Sequence, residues 1–302
     1  MILITEGDPS SISPEIIVKS LKKLPLNIRK NIILIGEEKS LKKYGFTWDL
    51  CFLLPKTLPK FKLLKGPNAY SGELSFSFLE IALKILKSRR AKALVTGPIS
   101  KKAWELAGIK YLGHTEYFRN YFKKDFLMSF INDNIKTALI SEHLPISKVP
   151  KIINKDLIVN KCILFKDLLK ALGLKSKILI TGLNPHCGDS GVIGDEEIKK
   201  IIPAIKKLRE KRIRVCGPYN PEDVFKRIEN TPNAGLFMYH DQLLSILKIK
   251  YQSNIVHITW GLDFVRTSPT HGTAFDIVDK NLADFMPMYN AIMMAYKISR
   301  NL

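Results

Sequence analysis

The stretch GLFMYHDQLLSILK, residues 235–248, indicates how the whole chain is built. Its apolar run Leu236 to Tyr239 is typical of a buried β-strand, and the spaced apolar residues from Leu243 onward are typical of a helix. His240 and Asp241 stand at the junction between the two. In α/β proteins the residues that follow a strand in this way lie where ligands bind.

The same order occurs elsewhere in the chain. TALISEHLPI (137–146) runs from an apolar strand into His143, and KILITGLNPHCGDSG (177–191) runs from another into His186. Amphipathic helices are predicted between such strands, for example ELSFSFLEIALKILKS (73–88) and EEIKKIIPAIKKLREKR (196–212). Apolar residues in the second recur at Ile198, Ile201, Ile202, Ile205 and Leu208. The alternation predicts an α/β fold with largely parallel strand pairing.

Composition sets the broad class of protein. The chain has 302 residues, 46% of them hydrophobic, which suits one large domain or two smaller ones. Its first residues lack a signal-peptide pattern, and no apolar run approaches the roughly 20 residues of a membrane span, so we expect a cytoplasmic protein without membrane contact. The four cysteines, which form no C-x-x-C pair, are expected to be reduced thiols.

The net charge of +20 allows three kinds of partner: nucleic acid, an anionic membrane surface or an anionic metabolite. The lysines are dispersed over predicted helix faces, and no basic stripe interleaved with aromatic residues occurs. A solvated surface with a weak attraction for anionic metabolites is therefore the favoured interpretation, and a nucleic-acid-binding protein is the alternative from another class.

Three histidines that end three strands suggest a metal site. His143, His186 and His240 are far apart in sequence, so the fold has to bring them together. Three neutral imidazoles leave a divalent ion its full charge and an open coordination position. Such an ion acts as a Lewis acid on a substrate oxygen. Zn²⁺ fits this ligand set, and Co²⁺, Mn²⁺ and Mg²⁺ remain open.

Donors for an anionic group occur in neighbouring segments. His114 and Thr115 lie in YLGHTEYF, Lys248 lies one helix after His240, and Arg266 lies in GLDFVRTSPTHGTAFD. Such side chains are what a phosphate or carboxylate needs. The alternative is that Lys248 and Arg266 are surface residues.

Six segments, in this order, carry a resemblance to a known family: TGPISKKAW, GHTEYF, EHLPI, GLNPHCGDSGVIGDEE, MYHDQ and GLDFVRTSPTHGTAFD. Over nearly its whole length the chain resembles the 4-hydroxythreonine-4-phosphate dehydrogenases of pyridoxal phosphate biosynthesis. The resemblance implies a two-domain α/β architecture like that of isocitrate and isopropylmalate dehydrogenases, with the active site in the interdomain cleft. The expected domains are residues 1–116 with 266–302, and residues 117–265 with the metal ligands and the dimer interface.

The resemblance also implies residue roles. His143, His186 and His240 correspond to the family's metal ligands, and the substrate residues correspond to His114, Thr115, Lys248, His257 and Arg266. A homodimer is implied, with the active site at the subunit interface and one metal histidine supplied by the partner.

The implied reaction is oxidation of a phosphorylated hydroxy amino acid by NAD⁺ followed by loss of CO₂. Asp241 and Lys101 are the candidate proton acceptors, and a water molecule on the metal is a further possibility. HGTAFD resembles an adenosine-binding loop and assigns His271, Gly272, Thr273 and Asp276 to the cofactor. A carboxylate at Asp276 would repel the 2′-phosphate of NADP, although NADP stays open.

The sequence departs from the family pattern at the substrate end. Ser11 and Ser13 stand where glycine is common, and His257 stands where the family has asparagine. Two alternatives follow: a metal- and NAD-dependent dehydrogenase acting on another hydroxy acid, and a non-catalytic relative.

Overall fold

One mixed sheet of eleven strands runs through the part of the chain that the structure describes. The structure is a computed structural model, and it describes residues 1–47, 51–53, 64–251 and 254–302. The strands are β1 (Ile2–Thr5), β2 (Ile32–Ile35), β3 (Cys51–Leu53), β4 (Ala93–Thr96), β5 (Leu127–Ile131), β6 (Lys136–Leu139), β7 (Ile178–Thr181), β8 (Val215–Tyr219), β9 (Ala234–Phe237), β10 (Val256–Trp260) and β11 (Val265–Ser268).

Helices connect these strands and cover both faces of the sheet. They are α1 (Ser13–Lys23), α2 (Leu26–Arg29), α3 (Glu38–Lys42), α4 (Ala69–Lys87), α5 (Lys101–Leu106), α6 (His114–Phe122), α7 (Val149–Ile152), α8 (Lys155–Ala171), α9 (Ile202–Glu210), α10 (Pro221–Ile228), α11 (His240–Tyr251) and α12 (Met286–Ser299). Neighbouring residues of β1 show the layering: Ile2 and Ile4 belong to the core beneath α1 and α12, and Leu3 belongs to the core beneath α4.

The strand order is β3-β2-β1-β4-β11-β10-β5-β6-β9-β7-β8. The pairs within β3 to β11 and within β6 to β8 are parallel, which confirms the prediction of largely parallel pairing. Strands β10 and β5 join the two parallel halves by antiparallel pairs. The strands of the two halves therefore run in opposite directions. Side chains from both halves can meet at the centre of the sheet.

The division into two domains stays a prediction. The first expected boundary, at 116/117, falls inside α6, and the second, at 265/266, falls inside β11. The second boundary lies in a central strand, next to the antiparallel partner β10, where the strand direction changes.

The predicted helix over residues 196–212 forms, but not as one regular α-helix. Its first turn, Glu197–Ile201, is a π-helix, and α9 begins only at Ile202. Pro203 follows and has no backbone N–H for the ladder of hydrogen bonds. The apolar spacing also divides between two surfaces: Ile201, Ile205 and Leu208 are buried, whereas Ile198 and Ile202 are about half exposed.

The helix predicted over residues 73–88 is confirmed and begins earlier, at Ala69. Asn68 caps it by accepting a hydrogen bond from the backbone N–H of Ser71. Among the described residues, no helix is long and apolar enough to cross a membrane.

Candidate active site

A cleft lies against one face of the central strands β10 and β11. It consists of two adjoining cavities of about 680 Å³ and 540 Å³. His143 and His257 line both of them. The first also includes Lys101, His114, Thr115 and Arg266; the second also includes His240, Lys248 and His271. Segments that are remote in sequence thus meet here. Part of the cleft floor comes from residues inside strands, and not only from their carboxyl ends as predicted.

Arg266 forms the floor of the larger cavity. It is the second residue of β11 and is only 5% exposed, so the alternative that it is a surface residue is wrong. Its guanidinium donates to Thr96 Oγ1 from Nε at 3.1 Å and from Nη2 at 2.7 Å. Within the described residues no carboxylate pairs with it, and burial lowers its pKa to about 9. A buried cation with only neutral partners is ready to bind an anion.

His257 lies next to this guanidinium on β10. Its Nδ1 accepts a hydrogen bond from Arg266 Nη1 at 3.1 Å, and its ring stacks on Phe130 with centroids 5.1 Å apart. Burial and the neighbouring Arg266 hold the pKa of His257 well below its usual value. Since Nδ1 accepts, the proton of the neutral ring lies on Nε2, which is buried and has no partner among the described residues. His257 therefore offers one more donor to an anion.

His114 and Thr115 open helix α6 beside Arg266. The ring of His114 meets the edge of Trp104, with centroids 5.7 Å apart, and its burial lowers its pKa well below the usual value. His114 is therefore neutral. Lys101 and Lys248 are exposed residues, and they line the larger and the smaller cavity respectively. They add positive charge at the mouth of the cleft.

His143 and His240 follow the adjacent parallel strands β6 and β9, and their ring centroids are 5.2 Å apart. Burial and then the neighbouring His240 lower the pKa of His143, so its imidazole is in the neutral form that binds metals. Nδ1 of His240 lies 2.6 Å from Asp241 Oδ1. A carboxylate in this position keeps the proton on Nδ1 and leaves Nε2 free to coordinate an ion. The pair fits two ligands of one metal.

His186 does not join this pair. It follows β7, next to β9 in the sheet, but its side chain is exposed and lines neither cavity. Within the described ranges, no three His, Cys, Asp or Glu side chains are placed to hold one ion. Within one chain the described residues thus bring together two of the three histidines, and the three-histidine site, for which the resemblance implies one ligand from a partner, stays a prediction.

The loop assigned to the cofactor lies beside the metal-ligand pair. His271 lines the smaller cavity, and neither of its ring nitrogens has a hydrogen-bond partner among the described residues. The carbonyl of Thr273 accepts a hydrogen bond from the backbone N–H of Ile12, which ties this loop to the loop after β1. Gly272 and Asp276 are exposed. The roles of these four residues stay predictions.

Ser11 and Ser13 have structural tasks inside the loop after β1. Ser11 Oγ donates to the carbonyl of Asp8 at 2.6 Å and accepts from the backbone N–H of Ser13 at 3.0 Å. Ser13 Oγ donates to the carbonyl of Glu6. Both hydroxyls are buried in their own loop. Serine in place of glycine at these two positions therefore adds hydrogen bonds within the loop itself.

A charged wall of the larger cavity was missed by the sequence analysis. Glu142, directly before His143, is buried and accepts from Arg119 Nη2 at 2.9 Å. Its other oxygen lies 3.9 Å from Nζ of Lys161. A buried carboxylate next to a predicted metal ligand was a usable signal, but its partners come from helices α6 and α8 and only the fold reveals them.

Comparisons with known proteins identify the family of the chain. Residues 27–295 match the family model described as pyridoxal phosphate biosynthetic protein PdxA. A 4-hydroxythreonine-4-phosphate dehydrogenase from Sulfurihydrogenibium sp. (strain YO3AOP1) is 36% identical, with 98% of each chain covered. A Clostridium botulinum protein is 30% identical over 97% of this chain and 95% of its own; its name, marked as provisional, is D-threonate 4-phosphate dehydrogenase.

Solved structures give the same result. The crystal structure of 4-hydroxythreonine-4-phosphate dehydrogenase from Klebsiella pneumoniae has a TM-score of 0.83 and 29% identity, covering 99% of each chain. A β-decarboxylating dehydrogenase from Thermococcus kodakarensis, 14% identical with a TM-score of 0.53 over 97% of this chain and 81% of its own, shares the fold. The predicted α/β architecture of the isocitrate and isopropylmalate dehydrogenase type is confirmed.

Proposed function

Because this chain belongs to the PdxA family of pyridoxal phosphate biosynthetic proteins, we propose that it is a 4-hydroxythreonine-4-phosphate dehydrogenase. The substrate is then 4-(phosphooxy)-L-threonine, whose secondary alcohol is oxidised to a ketone while NAD⁺ is reduced to NADH and a proton is released. The product, 2-amino-3-oxo-4-(phosphooxy)butanoate, is a β-keto acid. It loses CO₂ to give 3-amino-2-oxopropyl phosphate.

The observation that carries this proposal is the buried guanidinium of Arg266 in the cleft floor, which has no carboxylate partner in the described part of the chain. Arg266, the Nε2–H of His257 and the ammonium of Lys248 are donors without a carboxylate partner among the described residues. A phosphate group accepts several such bonds at once, and a guanidinium can hold it through two of them. His114 and Thr115 complete the wall next to Arg266. We assign these five residues to the substrate.

The pair His143 and His240, whose ring centroids are 5.2 Å apart, fits a divalent metal ion, for which Zn²⁺, Mg²⁺, Co²⁺ and Mn²⁺ are the candidates. Such an ion, when bound, would make the substrate hydroxyl more acidic. Asp241 keeps His240 in the tautomer that can coordinate it. His186 is the third ligand in this proposal, and it comes from a second copy of the chain because its own chain holds it outside the cleft.

Two side chains are candidates to take the hydroxyl proton. Lys101 starts α5 and lines the larger cavity beside His143. Asp241 is already the acceptor for His240 Nδ1, so a proton-transfer role would compete with its orienting role. Apolar neighbours such as Trp104 and Phe118 surround His114 and keep water from that side of the cleft.

A nicotinamide cofactor is assigned to the segment His271 to Asp276, with NAD favoured and NADP open. His271 lines the cavity that also contains His240 and Lys248. Gly272, without a side chain, leaves open space for a ligand. We assign Thr273 to the cofactor as well. Its carbonyl accepts a hydrogen bond from Ile12, which holds this segment against the loop after β1.

A homodimer follows from the same proposal, and an exposed apolar patch supports it. The patch comprises Val192, Ile193, Ile198 and Ile202, which are 83%, 48%, 49% and 48% exposed. It directly follows the turn that carries His186. Clusters of exposed aliphatic side chains of this kind mark contact surfaces. A partner that covers this patch would receive His186 at its own cleft.

The test is a substrate panel with purified protein, a divalent metal and NAD⁺, following NADH formation. The proposal expects turnover of 4-(phosphooxy)-L-threonine and much weaker turnover of 4-hydroxythreonine without the phosphate. Preference for D-threonate 4-phosphate would instead favour the alternative, a related dehydrogenase for another hydroxy acid, which His257 in place of asparagine keeps open. No turnover of any phosphorylated substrate, with metal and cofactor present, would refute both.

A further inference from the structure

The turn that carries His186 has an unusual backbone. Five consecutive residues, His186 to Ser190, have φ values of 51°, 54°, 79°, 43° and 58°. Only one of the five, Gly188, is a glycine. Residues with a side chain are disfavoured in this left-handed region because Cβ approaches the following carbonyl oxygen. A run of this length persists only when surrounding contacts enforce it.

Glu197, in the π-helical turn that follows, holds the two residues that come before this run. Its side chain is buried, with the residue 2% exposed. Oε1 accepts from the backbone N–H groups of Leu183 at 2.7 Å and Asn184 at 2.8 Å. Oε2 accepts from Nδ2 of Asn184 at 2.9 Å. One carboxylate thus fixes both residues that lead into the turn.

The packing around this carboxylate leaves the turn little freedom. A Cβ added to Gly188 would lie 2.8 Å from Glu197 Oε2 and 2.5 Å from the carbonyl oxygen of Gly194. A Cβ added to Gly182 would lie 3.1 Å from Glu197 Oε1. Glu197 therefore fills the inside of the turn, and His186 stays outside, in contact with solvent.

We propose that Glu197 is a positioning residue that locks the left-handed turn at 186–190 and so presents His186 to the metal site of a second copy of the chain. The inference rests on the proposed function, because it takes His186 as a metal ligand supplied across a dimer. Glu197 acts only through the turn and touches neither metal nor substrate.

The chemistry requires a carboxylate at this position. Three N–H donors converge on the two oxygens of Glu197, and a carboxylate offers two acceptor oxygens and no donor. In Glu197→Gln one of the two terminal atoms becomes an NH₂ group that faces a donor. Glu196 is a matched control, because its bond to this loop is the single one that Oε2 accepts from Asn184 Nδ2, at 2.8 Å.

The first measurement needs no metal. Hydrogen exchange of the Leu183 and Asn184 amides is compared in the full-length wild type, Glu197→Gln and Glu196→Gln. Glu197→Gln is expected to speed exchange of these two amides by about tenfold or more, as expected for a lost bond to a charged acceptor, while Glu196→Gln leaves them nearly unchanged. Exchange in β5 and β10 should stay the same in all three proteins, which shows that the fold persists.

The second measurement is the affinity for Zn²⁺ alone, by competition with a chelator. Glu197→Gln should weaken it about 10- to 100-fold, the range for outer-sphere residues around metal ligands, and Glu196→Gln should not. Adding Asp189→Gly and Ser190→Gly to Glu197→Gln should recover part of the affinity, because glycine accepts positive φ. If Glu197→Gln does not fold, Asp189→Gly with Ser190→Gly in the wild type should still preserve or raise the affinity.

Unchanged amide exchange together with unchanged zinc affinity in folded Glu197→Gln would overturn the positioning role. A loss of affinity in the double glycine variant of the wild type would overturn it as well. A wild type that binds no zinc, with Leu183 and Asn184 still protected, would instead refute the proposed metal site and leave the locked turn standing.

Discussion

Arg266 Nη1 donates to Nδ1 of His257, 3.1 Å away, across the antiparallel pair of strands β11 and β10. Burial lowers the pKa of both groups, and the neighbouring Arg266 lowers that of His257 further. A second proton on His257 would place two donors against each other beside a buried cation. The imidazole therefore stays neutral with its proton on Nε2, which has no partner among the described residues, and the proposed function assigns Arg266 and His257 together to the anion.

A first prediction concerns stability in acid. The pKa of His257 is lowered in the folded protein. Below the ordinary value of 6.5, His257 therefore binds a proton in the unfolded chain but not in the folded protein. The folded state therefore loses stability relative to the unfolded state as the pH falls below that value. The loss in the free energy of unfolding is at most about 1.4 kcal/mol per pH unit for one histidine. His257→Asn should make the loss of stability between pH 7 and pH 5 less steep, as measured by urea unfolding.

His271→Asn serves as the control for this experiment. His271 has a lowered pKa as well, but it is not bonded to Arg266. The control should flatten the profile less than His257→Asn. An unchanged profile in His257→Asn would mean that the folded His257 takes up its proton normally and that its contact with Arg266 is not maintained.

A second prediction concerns Asp241. In Asp241→Asn the partner of His240 Nδ1 loses its charge, and metal affinity should fall about 10- to 100-fold in a chelator-competition assay. The matched control is Asp263→Asn, since the two carboxylates are 81% and 76% exposed and Asp263 pairs with Lys124 away from the cleft. A fall in kcat with metal affinity unchanged would instead identify Asp241 as the proton acceptor.

A third prediction tests the shared site. Inactive His186→Ala subunits mixed with inactive His143→Ala subunits should regain up to about a quarter of wild-type activity, because half of the random dimers carry one intact site. A mixture of His143→Ala with His240→Ala is the negative control, because these two rings lie 5.2 Å apart in one chain. Recovery in the control mixture, or in neither mixture, would contradict a trans contribution from His186.

A fourth prediction concerns the apolar patch. Ile198→Glu places a charge in the middle of the proposed contact, so the protein should sediment as a monomer and lose metal affinity, while its circular dichroism stays that of the wild type. Leu26→Glu is the control, a substitution of an exposed aliphatic residue on α2 that is 63% exposed. A dimer that survives Ile198→Glu unchanged would show that subunits meet elsewhere.

The local parts of this site could be predicted from the sequence, and the parts set by pairing between segments could not. His143 and His240 were predicted because each follows an apolar strand, a pattern contained in about ten residues. The contact of Arg266 with His257 depends on the antiparallel register of β10 and β11, which the hydrophobic pattern of either strand does not contain.

That His186 is the histidine that faces outward could not be predicted, for a similar reason. It depends on a left-handed turn enforced by a carboxylate eleven residues later in the chain. The spacing of Ile198 and Ile202 likewise indicated an apolar helix face, but it cannot tell whether that face packs on its own sheet or on a second copy.

The last prediction concerns the anion end of the substrate. Losing one buried, charged hydrogen-bond partner typically costs about 2–5 kcal/mol of binding. Arg266→Ala should therefore raise KM for 4-(phosphooxy)-L-threonine about 30-fold or more, and should affect the unphosphorylated analogue far less. Arg266→Lys should recover only part of the loss, because an ammonium keeps the charge without the planar fork that also bonds Thr96 and His257. Thermal unfolding of each variant separates this effect from a loss of stability. If Arg266→Ala impairs both substrates equally, the guanidinium serves the pairing of β11 with its neighbours, and the phosphate binds elsewhere in the cleft.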